Sequence, residues 1–161
     1  DPFCSGGNET ITTLDTTGGP LFESTSLTLG LDGNPVISYI DVGTVKVAKC
    51  NDPACIGGNE IFTPIDSSIV PSDLSMALGT DGNPVISYMG SVNGSLNVAK
   101  CNDPACIGQN ESIAIVDSAN RVRSSSISIG VDGLPIVSYC YWGGAATGAL
   151  KVAHCGTLEC K

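Results

Sequence analysis

Six of the eight cysteines stand in three identical frames, each with four residues between the two thiols. The frames are Cys50 and Cys55, Cys101 and Cys106, and Cys155 and Cys160. A disulfide needs Cα atoms about 5.5 Å apart, a separation that the facing ends of neighbouring strands provide. A four-cysteine zinc site is the alternative, but zinc ligands usually come in paired knuckles rather than isolated frames. The frames therefore predict three local disulfides, no metal, and an extracellular protein.

Two further cysteines stand outside these local frames. Cys4 occupies the second position of a frame whose first position would precede Asp1, and Cys140 stands where similar segments have Ile40 and Met89. Leftover cysteines in an oxidising compartment often pair with each other or between chains. A buried free thiol that acts as a small hydrophobe is the alternative for Cys140. Cys4 and Cys140 are therefore candidates for unpaired or inter-chain cysteines.

The other residues capable of chemistry do not form a catalytic set. His154 is the only histidine, and lysines occupy the equivalent positions 49 and 100, so a serine or cysteine triad lacks its base. Three Asp-Gly pairs supply one carboxylate each, whereas a calcium loop needs several converging oxygens. The acidic residues recur at the same register, and none breaks the pattern as a glycosidase pair would. The sequence predicts a protein that is not an enzyme and needs no cofactor.

A repeated phrase organises the chain around these residues. The phrase DGNPVISY occupies 32–39 and 81–88, and DGLPIVSY occupies 132–139. A second phrase follows each of them, reading VKVAKC, LNVAKC and LKVAHC in turn. Equivalent cysteines lie 51 or 54 residues apart. A period in this range indicates stacked supersecondary units, none of which buries its apolar face alone.

Each repeat, at approximately 1–51, 52–102 and 103–161, predicts four short strands. Apolar residues alternate before each Asp-Gly pair, as at Leu27 and Leu29, and such alternation indicates a half-buried strand. Asp-Gly favours a tight turn because glycine tolerates positive φ and aspartate hydrogen-bonds the backbone two residues on. No segment has the period of about 3.6 residues that marks a helix. The predicted fold is one all-β domain of three four-stranded antiparallel repeats, each stapled by a disulfide.

These phrases resemble the β-propeller-type repeats of uncharacterised secreted bacterial proteins, and the likeness covers essentially the whole chain. Four antiparallel strands in about 51 residues also match the size of a propeller blade. The resemblance implies propeller-blade-like repeats and an extracellular setting, without catalytic residues to carry over. Val36, Val85 and Ile136 begin equivalent strands, and we expect them to share one continuous core.

Composition excludes several classes of partner. The 161-residue chain has a formal net charge of −9 and no basic cluster, which argues against nucleic acid and anionic membranes. No apolar run approaches the roughly 20 residues of a membrane helix, so membrane insertion is not expected. No signal peptide is present, and we expect the mature form of a secreted or cell-surface protein.

The third repeat has the longest last turn and an unusual composition there. This turn contains Tyr141 and Trp142, the only tryptophan, in a glycine-rich stretch. An exposed Trp-Tyr pair is typical of contact with a partner or a sugar ring, whereas the alternative is a tryptophan that covers its own sheet. Three N-x-[ST] sequons mark candidate glycosylation sites, at Asn8, Asn93 and Asn110.

The repeat number points to association between chains. Propellers close with about four to eight blades, so three repeats leave two uncovered ends. The segment 1–4 is in phase with 52–55, and the last residues are in phase with both, so one copy could follow another. We expect a non-catalytic structural subunit of an extracellular homo-assembly, either a fibre or a multi-chain propeller, whose partners are copies of itself. The alternative is an extracellular binding or adhesion module that recognises a glycan or a cell-surface partner.

Overall fold

Eleven β-strands and no helix form the part of the chain that the structure, a computed structural model, describes: residues 7, 10–16, 22–67, 72–90, 94–118, 121–144 and 147–161. In chain order the strands are β1 (Phe22–Leu29), β2 (Pro35–Asp41), β3 (Thr44–Lys49), β4 (Ile61–Asp66), β5 (Ser72–Leu78), β6 (Pro84–Met89), β7 (Leu96–Lys100), β8 (Ser112–Asp117), β9 (Val122–Ile129), β10 (Pro135–Gly144) and β11 (Thr147–His154). These residues contain no helix that is long and apolar enough to cross a membrane.

The strands form three antiparallel sheets. The first sheet has the order β1-β2-β3-β4, the second β5-β6-β7-β8, and the third β9-β10-β11. The all-β class and the antiparallel pairing expected from the sequence are confirmed. The third sheet, however, has three described strands where four were expected. The reason is an offset of one strand: the opening segment of each later repeat, β4 or β8, pairs with the last strand of the preceding repeat.

The Asp-Gly turns predicted from the sequence are present, and they join the first two strands of every sheet. Gly33, Gly82 and Gly133 have φ values of 78°, 77° and 80°, a left-handed conformation that disfavours any side chain. At each turn the aspartate accepts a hydrogen bond from the N–H two residues on, at 3.0 or 3.1 Å. The aspartate and the glycine therefore do separate jobs in the same turn.

Three disulfides close the loops that follow β3, β7 and β11. They join Cys50 to Cys55, Cys101 to Cys106 and Cys155 to Cys160, with Cα–Cα distances of 5.2, 5.0 and 4.7 Å. The predicted pairing is confirmed, and the zinc alternative is wrong. Cys140 has a free and exposed thiol, whereas Cys4 lies outside the described residues. Disulfides of this kind form and persist in an oxidising environment.

The sheets stack face to face, and each of the two interfaces is an apolar core. The first interface sets Val36, Val45 and Val47 of the first sheet against Met76, Ile86 and Tyr88 of the second. The second interface sets Val85, Leu96 and Val98 of the second sheet against Ile127, Val137 and Tyr139 of the third. All twelve side chains are at most 7% exposed. The second sheet is therefore covered on both faces.

The expectation of one continuous core is wrong, because Val36 and Val85 belong to two separate cores and Ile136 belongs to neither. Val36 and Val85 are fully buried, but Ile136, at the equivalent position of the third sheet, is 36% exposed. Val36 is covered by the second sheet and Val85 by the third, whereas no further sheet of the described residues covers Ile136.

Truncation of equivalent residues should therefore have unequal costs. We expect Val85→Ala to lower the free energy of unfolding by about 1–3 kcal/mol, because it removes methyl groups from a closed core. Ile136→Ala is the matched control, and its cost should be smaller since water already reaches that side chain. Urea titration of both variants measures the difference, and equal costs would contradict the stacking described above.

Candidate functional site

The third sheet exposes an apolar face at one end of the stack. We define this third-sheet end face by Ile136, Leu150 and Val152, whose exposed fractions are 36%, 78% and 64%. The equivalent residues of the second sheet are fully buried: Val85, Leu96 and Val98. The third-sheet end face thus has the composition of a buried interface but no covering sheet among the described residues. Apolar surface of this kind marks an interaction site more often than a bare monomer surface.

The first sheet exposes the complementary face at the other end. We define this first-sheet end face by Leu27, Leu29 and Phe62, which are 60%, 57% and 39% exposed. The residues equivalent to Leu27 in the other two sheets, Met76 and Ile127, are 6% and 7% exposed because each lies against the preceding sheet. The first-sheet end face is therefore the surface that, in the other sheets, receives a neighbour.

A cavity of about 140 Å³ lies on this first-sheet end face. Its walls include Leu14, Ile37, Ala48 and Phe62. The equivalents of Ile37 and Ala48 in the second sheet are Ile86 and Ala99. Both pack in the first interface, which also contains Val45 and Val47 of the first sheet. The cavity is thus the space that valines of a preceding sheet fill elsewhere in this chain.

Serine side chains tie the first strands of successive sheets together. Ser26 Oγ accepts a hydrogen bond from the N–H of Met76 at 3.1 Å, and Ser75 Oγ accepts one from the N–H of Ile127 at 3.2 Å. The equivalent serine of the third sheet, Ser126, is exposed. The repeated serine was the available sequence signal for this contact, but the sequence analysis did not use it.

Tyrosine–aspartate hydrogen bonds tie the outer strands to the next sheet. The hydroxyl of Tyr88 donates to Asp66 of the first sheet at 2.7 Å, and that of Tyr139 donates to Asp117 of the second at 2.5 Å. Asp66 is only 7% exposed. The sequence showed these aspartates only as repeated acidic residues, and in the structure their carboxylates are acceptors at the sheet interfaces.

Burial and these hydrogen bonds also change the tyrosine ionisation. Burial first, and then the hydrogen bond to Asp117, raise the pKa of Tyr139 to about 12. Burial and the hydrogen bond to Asp66 raise the pKa of Tyr88 further in the same direction. Because the carboxylate stabilises the protonated phenol, the contact is built for a neutral tyrosine.

The aspartates of the Asp-Gly turns have a second partner, which the sequence analysis missed. Lys49 lies 2.7 Å from Asp32, Lys100 lies 2.7 Å from Asp81, and His154 Nε2 lies 2.7 Å from Asp132. The side chain of Lys100 is 3% exposed, whereas that of His154 is 50% exposed. His154 therefore lies at the end of β11 with a carboxylate partner.

The chain's only tryptophan lies beside its only two arginines. Trp142 is 48% exposed, and the guanidinium carbons of Arg121 and Arg123 lie 5.4 and 5.6 Å from its ring centre. The glycine-rich stretch predicted a turn at Tyr141 and Trp142, but both residues belong to β10. An open cavity of about 470 Å³ borders Arg123, Cys140 and Trp142. This pocket is apolar and cationic, although the chain as a whole is acidic.

The remaining candidates add little chemistry. Asn110 is exposed, whereas Asn8 and Asn93 lie outside the described residues. Asp66 and Glu111 line a cavity of about 270 Å³, but both have counterparts at the same repeat positions, and Asp66 already accepts a hydrogen bond from Tyr88. No group of three or more His, Cys, Asp or Glu side chains within the described segments is placed to hold a metal ion.

Comparison with known proteins gives no assignment, since no protein-family model and no curated protein matches this chain. The function is therefore inferred from the surfaces of the structure.

The serine contacts generate a stability prediction with an internal control. Ser75→Ala leaves the N–H of Ile127 without its acceptor, and we expect the free energy of unfolding to fall by about 1–2 kcal/mol. Ser126→Ala removes the equivalent hydroxyl from the exposed end, where the cost to a monomer should be within about 0.5 kcal/mol. Denaturant titration at low protein concentration compares the two, and equal losses would refute an inter-sheet role for this serine.

The raised tyrosine pKa predicts how stability depends on alkaline pH. A phenol whose pKa is higher in the folded than in the unfolded chain stabilises the fold fully below the unfolded pKa of about 10, and this contribution is lost as pH rises through the folded pKa. Tyrosinate absorbance should show Tyr139 ionising near pH 12, and Asp117→Asn should lower that midpoint. Tyr139→Phe identifies the signal, and ionisation of Tyr139 near pH 10 would contradict the contact.

Proposed function

We propose that this chain is a non-catalytic structural subunit of an extracellular assembly of its own copies, in which propeller-blade-like sheets continue from one copy to the next. One observation carries the proposal: apolar positions that are buried between the sheets, those of Met76, Leu96 and Val98, are exposed at the ends of the stack, where Leu27, Leu150 and Val152 occupy them. The third-sheet end face of one copy would cover the first-sheet end face of another. The three disulfides support the extracellular setting.

Matching positions favour a head-to-tail contact over a contact between identical ends. Each internal interface joins two different faces: the valine-rich face of one sheet and the Leu/Met/Ile face of the next. The two end faces are copies of those two different surfaces. A head-to-tail contact would therefore repeat an interface that this chain already makes twice, whereas a contact between identical ends would require a new one.

Charge distribution supports the same orientation. Residues 118–161 contain four Lys or Arg and two Asp or Glu, whereas residues 22–67 contain two Lys or Arg and six Asp or Glu. The segment that forms the third sheet thus has a net positive formal charge, and the segment that forms the first sheet has a net negative one. Complementary charge favours encounter of unlike ends and disfavours encounter of like ends.

A closed ring and an open fibre are the two products of such a contact. Heterologous interfaces form a ring when the rotation between copies closes and a filament when it does not. Two copies would supply six sheets, which lies within the range of about four to eight blades of known propellers. Electron microscopy of the associated protein distinguishes a disc from a fibre.

Charge substitution at an end face tests the proposal. Val152→Lys places a charge at the centre of the third-sheet end face, and we expect it to abolish association in sedimentation velocity. Ile56→Lys is the matched control, because Ile56 is similarly exposed, at 62% against 64%, but lies outside both end faces, directly after the Cys50–Cys55 disulfide. Wild-type protein that stays monomeric over the full concentration series, or a Val152→Lys variant that associates normally, would contradict the proposal.

The alternative function is a binding module, and the cavity beside Trp142 favours it. Trp142 with Arg121 and Arg123 offers a stacking surface and two cations, which suit a sugar ring that carries a carboxylate. A monomeric wild type that binds an acidic glycan, and loses this binding in Trp142→Ala, would favour the module over the assembly.

A further inference from the structure

The third sheet has an open edge that its two counterparts do not have. Strands β3 and β7 are paired on both sides, with β2 and β4 and with β6 and β8. Strand β11, their equivalent, pairs with β10 alone among the described residues. Exposed strand edges present a row of N–H and C=O groups that can accept another strand. The third sheet thus has a vacant position for a fourth strand.

Residues 10–15 have the converse property, because they lie where an outer strand belongs but have no sheet of their own. The hydroxyl of Tyr39 donates to Asp15 at 2.7 Å, just as Tyr88 donates to Asp66 of β4 at 2.7 Å. Strand β4 is the outer strand of the first sheet and contacts Tyr88 of the second sheet. Residues 10–15 contact Tyr39 of the first sheet in the same way, so they lie where the outer strand of a preceding sheet would lie. Ile11 in this segment is 94% exposed.

We propose that residues 10–15 of one copy pair with β11 of the neighbouring copy and complete its third sheet as an antiparallel fourth strand. This inference rests on the proposed head-to-tail association and specifies how the contact is made. The third-sheet end face of one copy would cover the first-sheet end face of the next. That placement brings β11 beside residues 10–15, which already lie on the first sheet.

The two complete sheets determine the register of this pairing. Val47 pairs with Thr63 in the first sheet, and Val98 pairs with Ala114 in the second. The equivalent residues are Val152 in β11 and Thr12 in the donated strand. One step along, Ala48 pairs with Phe62 and Ala99 with Ile113, which sets Ala153 opposite Ile11. The exposed Ile11 side chain would then occupy the place that Phe62 and Ile113 occupy in the complete sheets.

Proline substitution tests the strand pairing, and the chain supplies its own control. Strand β4 contains Pro64, equivalent to Thr13, and still pairs with β3 at that residue and at its neighbour Thr63. An N–H at the position of Thr13 is therefore not needed. Backbone groups alternate in direction along a strand, so in the proposed pairing the N–H of Thr12 would point toward β11.

We expect Thr12→Pro to weaken association by about tenfold or more in sedimentation velocity, and Thr13→Pro to leave it close to wild type. Amide hydrogen exchange of residues 147–154 gives a direct second readout. In associated wild type and Thr13→Pro these amides should exchange more slowly than in dilute monomer, and in Thr12→Pro they should not. Thermal unfolding of dilute samples checks that both variants keep the monomer fold.

The outcomes separate this inference from the proposed function. Strand donation would be overturned if Thr12→Pro and Thr13→Pro associate equally well and amide exchange in β11 is not slowed. If Val152→Lys still abolishes association in that case, the head-to-tail assembly is retained. A wild type that never associates would overturn both. Protection of β11 in a strictly monomeric wild type would show that residues 10–15 reach the chain's own third sheet, and would overturn donation between copies.

Discussion

Each sheet of this protein is apolar on both faces, and the rest of the structure depends on that constraint. Val85 and Ile86 are adjacent in β6, so they point to opposite faces, yet both are fully buried. Antiparallel sheets commonly have one face in water, but this one does not. A sheet with two apolar faces needs a neighbour on each side. Any open stack of such sheets therefore ends in two uncovered faces.

Polar contacts between the sheets set their spacing and alignment. Ser75 accepts a backbone N–H across the sheet interface near the first strands, and Asp117 accepts the hydroxyl of Tyr139 near the outer strands. Buried polar groups in folded proteins nearly always have hydrogen-bond partners, so a shifted neighbour would leave both groups unsatisfied. The apolar faces supply the attraction, and these polar groups select one alignment. The serine recurs at the third-sheet end as Ser126, and the tyrosine–aspartate pair recurs at the first-sheet end as Tyr39 and Asp15.

Local sequence patterns were sufficient to predict the local structure. Asp81-Gly82 encodes its turn because the aspartate acceptor and the glycine φ act within four residues, and Cys101 reaches Cys106 because only a short loop separates them. The all-β class followed from the same local signals. The 51-residue period predicted stacked units, and the stack is present.

Contacts between distant residues were the part that the sequence did not reveal. Strand β4 opens the second repeat but pairs with β3 of the first repeat, so the sheets are offset from the sequence repeats. The alternation of apolar residues within β4 contains no information about which strand it pairs with. The sequence shows Asp66 only as a repeated acidic residue, but its role depends on Tyr88, which is 22 residues away. Ile136 was expected in the core because it begins a strand equivalent to those of Val36 and Val85, and only the position of its sheet in the stack exposes it.

The central claim is that the two end faces bind each other, and complementation between two blocked variants tests it most directly. Leu27→Lys would block the first-sheet end face and Val152→Lys the third-sheet end face, leaving each variant with one functional end. Each variant alone should be monomeric in mass photometry, while an equimolar mixture should form a dimer and no larger species. A mixture that remains monomeric, or a single variant that still associates, would contradict the account.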